Sequence, residues 1–182
     1  MKCFLILVKT ARDLGQLRQK KNLSIQIPRG VDDGTQIRLS GKGDAGYRGG
    51  SNGDLYVFIT VEKHKIFQRS EENLYYKLPI SMTDAALGAE IDVPTIDGGK
   101  SKVKIPAGTQ SGKQFRLKGK GMPIIRSDDY GDLYLETNVI IPESLSKEQK
   151  DLLEKFKSLE DLDNNSEIKN FINKAKKFWS GN

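Results

Sequence analysis

Along much of the chain apolar and polar residues alternate with a period of two. In Thr35-Gln-Ile-Arg-Leu39 the apolar Ile37 and Leu39 are separated by Gln36 and Arg38, as in a half-buried strand. Lys113-Gln-Phe-Arg-Leu117 repeats the pattern, and a strand is expected in each. Further strands are expected over 54–61 and 132–139, each entered from a glycine-rich loop, and over 73–80 and 90–93. The Ile-Pro pairs at 27–28 and 105–106 each end a strand, because proline cannot donate to a ladder and restricts the residue before it. Two glycines four residues apart then frame a turn, Gly30 with Gly34 and Gly108 with Gly112. The stretch 83–88, Thr-Asp-Ala-Ala-Leu-Gly, suits a short helical turn closed by glycine.

After Pro142 the period changes to that of a helix. Ser146 and Gln149 have the spacing of a capping box, and Leu145, Leu152, Leu153, Phe156 and Leu159 follow at helical intervals. Residues 161–165 are a polar break. Ser166 is placed as the cap of a second helix running to Trp179, with Ile168, Phe171, Ile172, Ala175, Phe178 and Trp179 on one stripe. The opposite side carries Lys169, Lys174, Lys176 and Lys177, mostly toward the C-terminal end, where they complement the helix dipole. A stripe of that size must bury against something, in cis or in a partner subunit.

The β-patterned part is an internal repeat. Residues 27–43, IPRGVDDGTQIRLSGKG, and 105–121, IPAGTQSGKQFRLKGKG, are identical at ten of seventeen positions at an offset of 78. The same offset carries Gly53-Asp-Leu-Tyr56 onto Gly131-Asp-Leu-Tyr134 and Val61 onto Val139. Turn chemistry alone would not match Ile, Arg, Leu, Asp and Tyr at constant spacing, so the chain is read as a tandem duplication of one structural unit.

Charge narrows the function classes. The net charge is +6, but residues 1–22 hold six basic residues against Asp13 alone, which leaves the rest nearly neutral. A nucleic-acid module would concentrate basic groups on its folded face, so no nucleic-acid partner is expected. The apolar run over residues 3–8 stops at Lys9, short for a signal peptide, and nothing approaches a membrane span. With Cys3 as the single cysteine, no internal disulfide forms, and a cytoplasmic protein without a membrane partner is expected.

Enzyme chemistry is not expected. Gly41-Lys-Gly-Asp-Ala-Gly46 fits a dinucleotide fingerprint, but more glycine and serine follow it instead of a helix, and the second copy loses the third glycine. His64, the single histidine, has no companion ligand or nucleophile and reads as structural. Asp54 and Asp132 recur at one repeat position, which suits turn capping better than a catalytic pair.

Several phrases in order then carry a resemblance: Leu23-Ser-Ile-Gln-Ile-Pro-Arg-Gly-Val31, Gly53-Asp-Leu-Tyr-Val57, His64-Lys-Ile-Phe-Gln-Arg69, Ala86 through Gly98, and Lys104-Ile-Pro-Ala-Gly-Thr-Gln110. Together, from about Gly15 to the end, the chain resembles the C-terminal region of the DnaJ co-chaperone family. The resemblance implies a mainly β fold: two tandem β-sandwich-like domains of the DnaJ C-terminal type followed by C-terminal α-helices. It implies a basic leader at 1–22, a partial first β-domain at 23–70, a second at 71–144 and a helical dimerisation tail at 145–182. The function implied is the binding of unfolded or non-native polypeptide by a homodimer serving a DnaK-type heat-shock ATPase in the stress response. The implied substrate groove on the first domain includes Phe67, with Ile25, Ile37 and Leu39 as further candidates. The dimerisation residues are Ile168, Phe171, Ile172, Phe178 and Trp179.

The sequence also departs from the family. It has no His-Pro-Asp motif and no C-x-x-C-x-G-x-G repeat; counting back from Gly15, Val8 and Ala11 occupy the cysteine positions and Asp13 an inner glycine. Neither Val nor Ala ligates zinc, so no cofactor is expected. The family's first strands are expected to be missing, leaving the first domain incomplete. A structural dimerisation or interaction module that no longer binds clients is therefore the alternative.

Overall fold

The computed structural model describes residues 23–46, 50–160 and 166–179, and the leader lies outside them. The chain separates into two compact units, residues 1–140 and 141–182. Among the described residues the first unit holds three sheets. A two-stranded antiparallel sheet joins β1 (Gln36–Leu39) and β2 (Leu55–Phe58). A four-stranded sheet has the order β3-β4-β8-β7, from β3 (Gln68–Ser70), β4 (Asn73–Ser81), β7 (Gln114–Leu117) and β8 (Leu133–Ile140). A hairpin joins β5 (Ala89–Pro94) to β6 (Lys100–Ile105), and α1 (Met82–Leu87) connects β4 to β5.

The core lies on one face of the four-stranded sheet. Leu74, Leu78 and Ile80 of β4 and Leu133 and Leu135 of β8 are buried there with Val93, Val103 and Ile105 of the hairpin and Ala85 of α1. Each fully buried aliphatic side chain contributes roughly 1.5–3 kcal/mol. Two layers of β-structure thus enclose one core, and the alternation read in the sequence is the alternation of the sheet's two faces. Ser81 caps α1 by accepting from the Asp84 N–H, and Gly88 at φ 83° closes it, as the Thr83–Gly88 stretch predicts.

β4 and β8 are parallel over eight residue pairs, from Leu74 with Leu133 to Ser81 with Ile140. β3 covers the other side of β4 only from Asn73 to Tyr75. The Leu74 N–H points to Asp132 of the β8 side (2.9 Å), so by alternation Lys77, Pro79 and Ser81 face the open side. Pro79 therefore removes no ladder bond, and an edge lysine with a proline discourages a stray strand.

Three expectations are corrected. Gln68–Ser70, assigned from the sequence to the first β-domain, pairs with β4 and belongs to the second sheet. Ile27-Pro28 ends no strand, although Leu23, Ile25 and Ile27 keep an alternating burial pattern. The expected strand at 54–61 is confined to Leu55–Phe58.

In the second unit α2 (Lys147–Leu159) starts at the predicted capping box, with both Ser146 and Gln149 bonds formed. α3 spans Ser166–Trp179, so Ser166 is the first helical residue and not the cap. The residue before it lies outside the described segment.

Candidate functional site

The 78-residue repeat extends to individual hydrogen bonds. In the first copy the Asp54 carboxylate accepts from the Gly41 N–H (2.9 Å), and in the second Asp132 accepts from Gly119 (2.8 Å). Gly43 donates to the Gly53 carbonyl as Gly121 does to Gly131, both at 2.8 Å. Ile59 donates to the Thr35 carbonyl as Thr137 does to Lys113, both at 2.9 Å. The recurring aspartates are thus turn caps, as their positions suggest. Arg38 adds an ion pair to Asp54 (2.6 Å), whereas Arg116 stands 3.8 Å from Asp132. The Gly41 N–H, and then Arg38, hold the Asp54 carboxyl below the usual carboxylate range.

Burial separates the copies. Ile25, Ile37 and Leu39, the candidate groove residues, are all half-buried, as are Leu55, Val57 and Ile59. The residues 78 positions on belong to the second core: Val103, Leu133 and Leu135 are buried in it, and Phe115 and Leu117 pack against it. The difference lies in the second strand of the hairpin: Leu55 and Val57 are half-buried where Leu133 and Leu135 are buried, whereas Ile37 and Leu39 are half-buried like Phe115 and Leu117. Tyr56 and Phe58, on the opposite face, are 48% and 69% exposed.

Phe67 does not belong to that ladder. It is 5% exposed inside the core of the second sheet, with the His64 ring 5.1 Å and the Tyr76 ring 5.8 Å away. The cause is local. The His64 Nδ1 accepts the N–H groups of Ile66 (3.1 Å) and Phe67 (3.3 Å), closing a turn that delivers Phe67 beneath β4 just before β3 begins. His64 is structural, as its isolation in the sequence suggests.

Sequence reasoning missed Arg69. Its guanidinium donates to the carbonyls of Val31 (2.8 Å), Gly30 (2.9 Å) and Glu71 (2.7 Å) and pairs with Asp32 (3.1 Å). Beside it Gly30 has φ +81°, and a Cβ there would stand 2.1 Å from the Pro123 carbonyl oxygen. The first copy's turn is thus docked on the second sheet by a guanidinium with three hydrogen bonds and an ion pair and by a glycine that nothing larger could replace. Only the sequence Gln-Arg-Ser in a polar stretch could have signalled it.

On the outer face of the four-stranded sheet a shallow depression of about 530 Å³ is lined by Ile66, Gln68, Tyr75, Lys77, Pro79 and Tyr134, among others. Tyr75 and Tyr134 stack there with centroids 5.2 Å apart and planes 15° from parallel.

In the second unit Ile168, Phe171, Phe178 and Trp179 are 51, 72, 82 and 80% exposed, while Ile172 is half-buried. Among the described residues no group of three or more His, Cys, Asp or Glu side chains is arranged to hold a metal, and no helix is long and apolar enough to cross a membrane.

Comparison with known proteins bears on both units. Residues 7–142 match the family model of the DnaJ C terminal domain, and residues 148–181 match the Chaperone protein DnaJ C-terminal region. The chain is 59% identical over 165 residues to the Chaperone protein DnaJ of Pelagibacter ubique (strain HTCC1062), covering 91% of this chain and 44% of that relative. It is 51% identical over 167 residues to the Chaperone protein DnaJ of Brucella anthropi and 50% to that of Brucella canis (strain ATCC 23365), again covering 44% of each. The chain thus spans less than half the length of the relatives it matches.

Proposed function

This chain belongs to the DnaJ family through its C-terminal domains, and from that premise we propose that it binds unfolded or non-native polypeptide as a homodimer, in the service of a DnaK-type heat-shock ATPase. The observation that carries this reading is the half-buried apolar row of Ile37, Leu39, Leu55 and Val57 on the first hairpin, with the half-buried Ile25 before it, where the counterparts of Leu55 and Val57 are core. Unfolded chains offer apolar side chains and unpaired backbone, and a partly open β-surface meets both. The role is non-catalytic, needs no cofactor, and is exercised in the cytoplasm.

Dimerisation is assigned to α3. Its exposed Phe171, Phe178 and Trp179 are large side chains of the kind that anchor interfaces, and a two-fold contact between copies is the commonest way to cover such a stripe. Two copies in one particle would hold a long client bivalently, raising avidity without a new kind of contact.

Light scattering from a chemically denatured client diluted into buffer tests the reading. The chain is expected to suppress aggregation and to sediment as a dimer at micromolar concentration; deletion of residues 166–182 should give a monomer that suppresses less well. Undiminished scattering at a tenfold excess of chain overturns client binding. The exposed α3 stripe also suits the second reading, a dimerising interaction module without client binding. A dimer that leaves scattering unchanged would establish that one instead.

A further inference from the structure

We propose that His64 is an acid-sensitive latch: a proton taken up at its Nδ1 breaks the turn that seats Phe67, so that mild acid loosens the edge of the core beneath β4. The latch lies at the entry to the second sheet and operates whether or not the chain binds clients.

The turn needs a neutral ring. Nδ1 accepts the N–H groups of both Ile66 (3.1 Å) and Phe67 (3.3 Å). A ring nitrogen that accepts carries no hydrogen, so the neutral ring holds its proton on Nε2. In the imidazolium both nitrogens are donors. A hydrogen on Nδ1 would then face two backbone N–H groups, and the turn could not close in this form. Imidazoles ordinarily titrate around pH 6.5, within the physiological range. His64 is exposed, so protons reach it without unfolding, while the Phe67 that it positions is 5% exposed. It is also the single histidine of the sequence, so no other side chain ordinarily titrates between about pH 5 and 8 alongside it.

Little else holds this segment down. From Val61 to Asn73 only Phe67 is buried, and β3 pairs with β4 over three residues. Arg69, tied to the Gly30 and Val31 carbonyls, bounds the opening on its C-terminal side. Release of Phe67 would uncover Tyr76, whose ring stands 5.8 Å from it and packs against the core. Glu62, Lys63 and Lys65 flank His64 on its own segment. On the neighbouring sheet, Lys77 of β4 and Glu136 of β8 line the outer depression together with Lys65. Among the described residues none of these charges pairs with His64. A proton on the ring therefore gains no salt bridge that would offset the two lost hydrogen bonds.

Amide hydrogen exchange of the full chain, followed by NMR at about pH 7.5 and about pH 5.5, tests the latch on either side of the imidazole range. Protection is taken relative to the intrinsic exchange rate at each pH. That of Ile66 and Phe67 is expected to fall about tenfold in acid, while that of Leu135 stays constant. In His64→Asn the side-chain oxygen can accept the same two N–H groups but does not titrate, so protection at Phe67 should be the same at both pH values. His64→Ala should resemble the acid form throughout. Should that variant fail to fold, His64→Asn alone decides. The nitrogen shifts of the single imidazole give the tautomer directly, and a hydrogen on Nδ1 at pH 7.5 overturns the proposal. So does a parent whose Phe67 protection is unchanged by acid, or a His64→Asn chain that loses it in acid as the parent does.

Discussion

Leu55 and Leu133 are the same residue at the same place in a duplicated hairpin, each following an aspartate that caps the same turn. One is half-buried, and the other is 0% exposed. The local sequence is therefore sufficient for the hairpin, while burial is decided by what lies alongside. β8 has β4 beside it and the β5–β6 hairpin over its inner face. Among the described residues β2 has neither a strand on its free edge nor the counterpart of that hairpin. The same strand can thus be half-buried or fully buried according to its neighbours.

The largest expected contrast is at these leucines. Leu133→Ala should cost roughly 2–5 kcal/mol, the range for truncating a buried leucine. Leu55→Ala should cost less, since part of its surface is already wet. Urea unfolding of both variants measures this. Equal costs would break the comparison by showing that the first copy is packed as tightly as the second. Phe67→Ala belongs with Leu133→Ala, at roughly 3–5 kcal/mol, because Phe67 lies in the same core.

The next contrast is between two equivalent glycines. A Cβ at Gly131 would stand 2.1 Å from the Glu72 carbonyl oxygen, whereas at Gly53 its nearest neighbour is 3.8 Å away. The β3–β4 turn makes the difference, because it packs on one copy and not on the other. Gly131→Ala should destabilise by about 1–3 kcal/mol, the usual cost of overpacking, and Gly53→Ala should be close to neutral. A melting temperature lowered equally by both would sink this.

Arg69→Lys sharpens the relation between the copies. A lysine keeps the charge but cannot serve the Gly30 and Val31 carbonyls and Asp32 together, because the planar fork is lost. A loss of about 1–3 kcal/mol is expected, hydrogen bonds to charged groups being worth about 1.5–3 kcal/mol each. The amides of residues 30–32 should lose hydrogen-exchange protection while Leu135 keeps its own. Uniform loss over both copies would show that Arg69 supports the whole fold and not the docking of the first turn.

Much of this was legible in the sequence, for identifiable reasons. The repeat, the glycine that closes α1, the α2 capping box and the end of α3 rest on contacts between near neighbours, which spacing records. Pairing between distant strands leaves no such mark, so the parallel β4–β8 ladder had to be seen. β3 was missed because Gln-Arg-Ser has no apolar alternation. Phe67 lies in the second core and not in the first copy; the short Ile66-Phe67 pair among polar residues does not say which sheet claims it, and β3 decides that. Ile25, Ile37 and Leu39 are half-buried, as are Leu55, Val57 and Ile59 of the same copy. Their depth could not be read in advance: the position equivalent to Ile25, Val103, is core, while Phe115 and Leu117 are half-buried like Ile37 and Leu39.

The smallest expected effect concerns Asp54. Its folded carboxyl titrates below the usual range because the Gly41 N–H and Arg38 favour the charged form. A carboxyl whose folded pKa is depressed binds its proton more readily in the unfolded chain. Its contribution is therefore complete at pH values above the unfolded pKa, about 3.9 for aspartate. It is lost as pH falls through the lower folded value. Asp54→Asn removes the charge while leaving an oxygen that can accept from Gly41. The variant should be less stable than the parent at pH 7, by an amount that shrinks as pH drops below about 4, where the unfolded parent takes up its proton, until the folded carboxyl is neutral too. Because Asp54 is only half-buried and its partner Arg38 is exposed, salt should reduce the gap as well. Urea midpoints for both proteins from pH 7 down to pH 3 decide the matter. A gap that stays constant across that range would mean the carboxylate's charge contributes nothing, and that Asp54 serves the first copy only as the neutral cap of its turn.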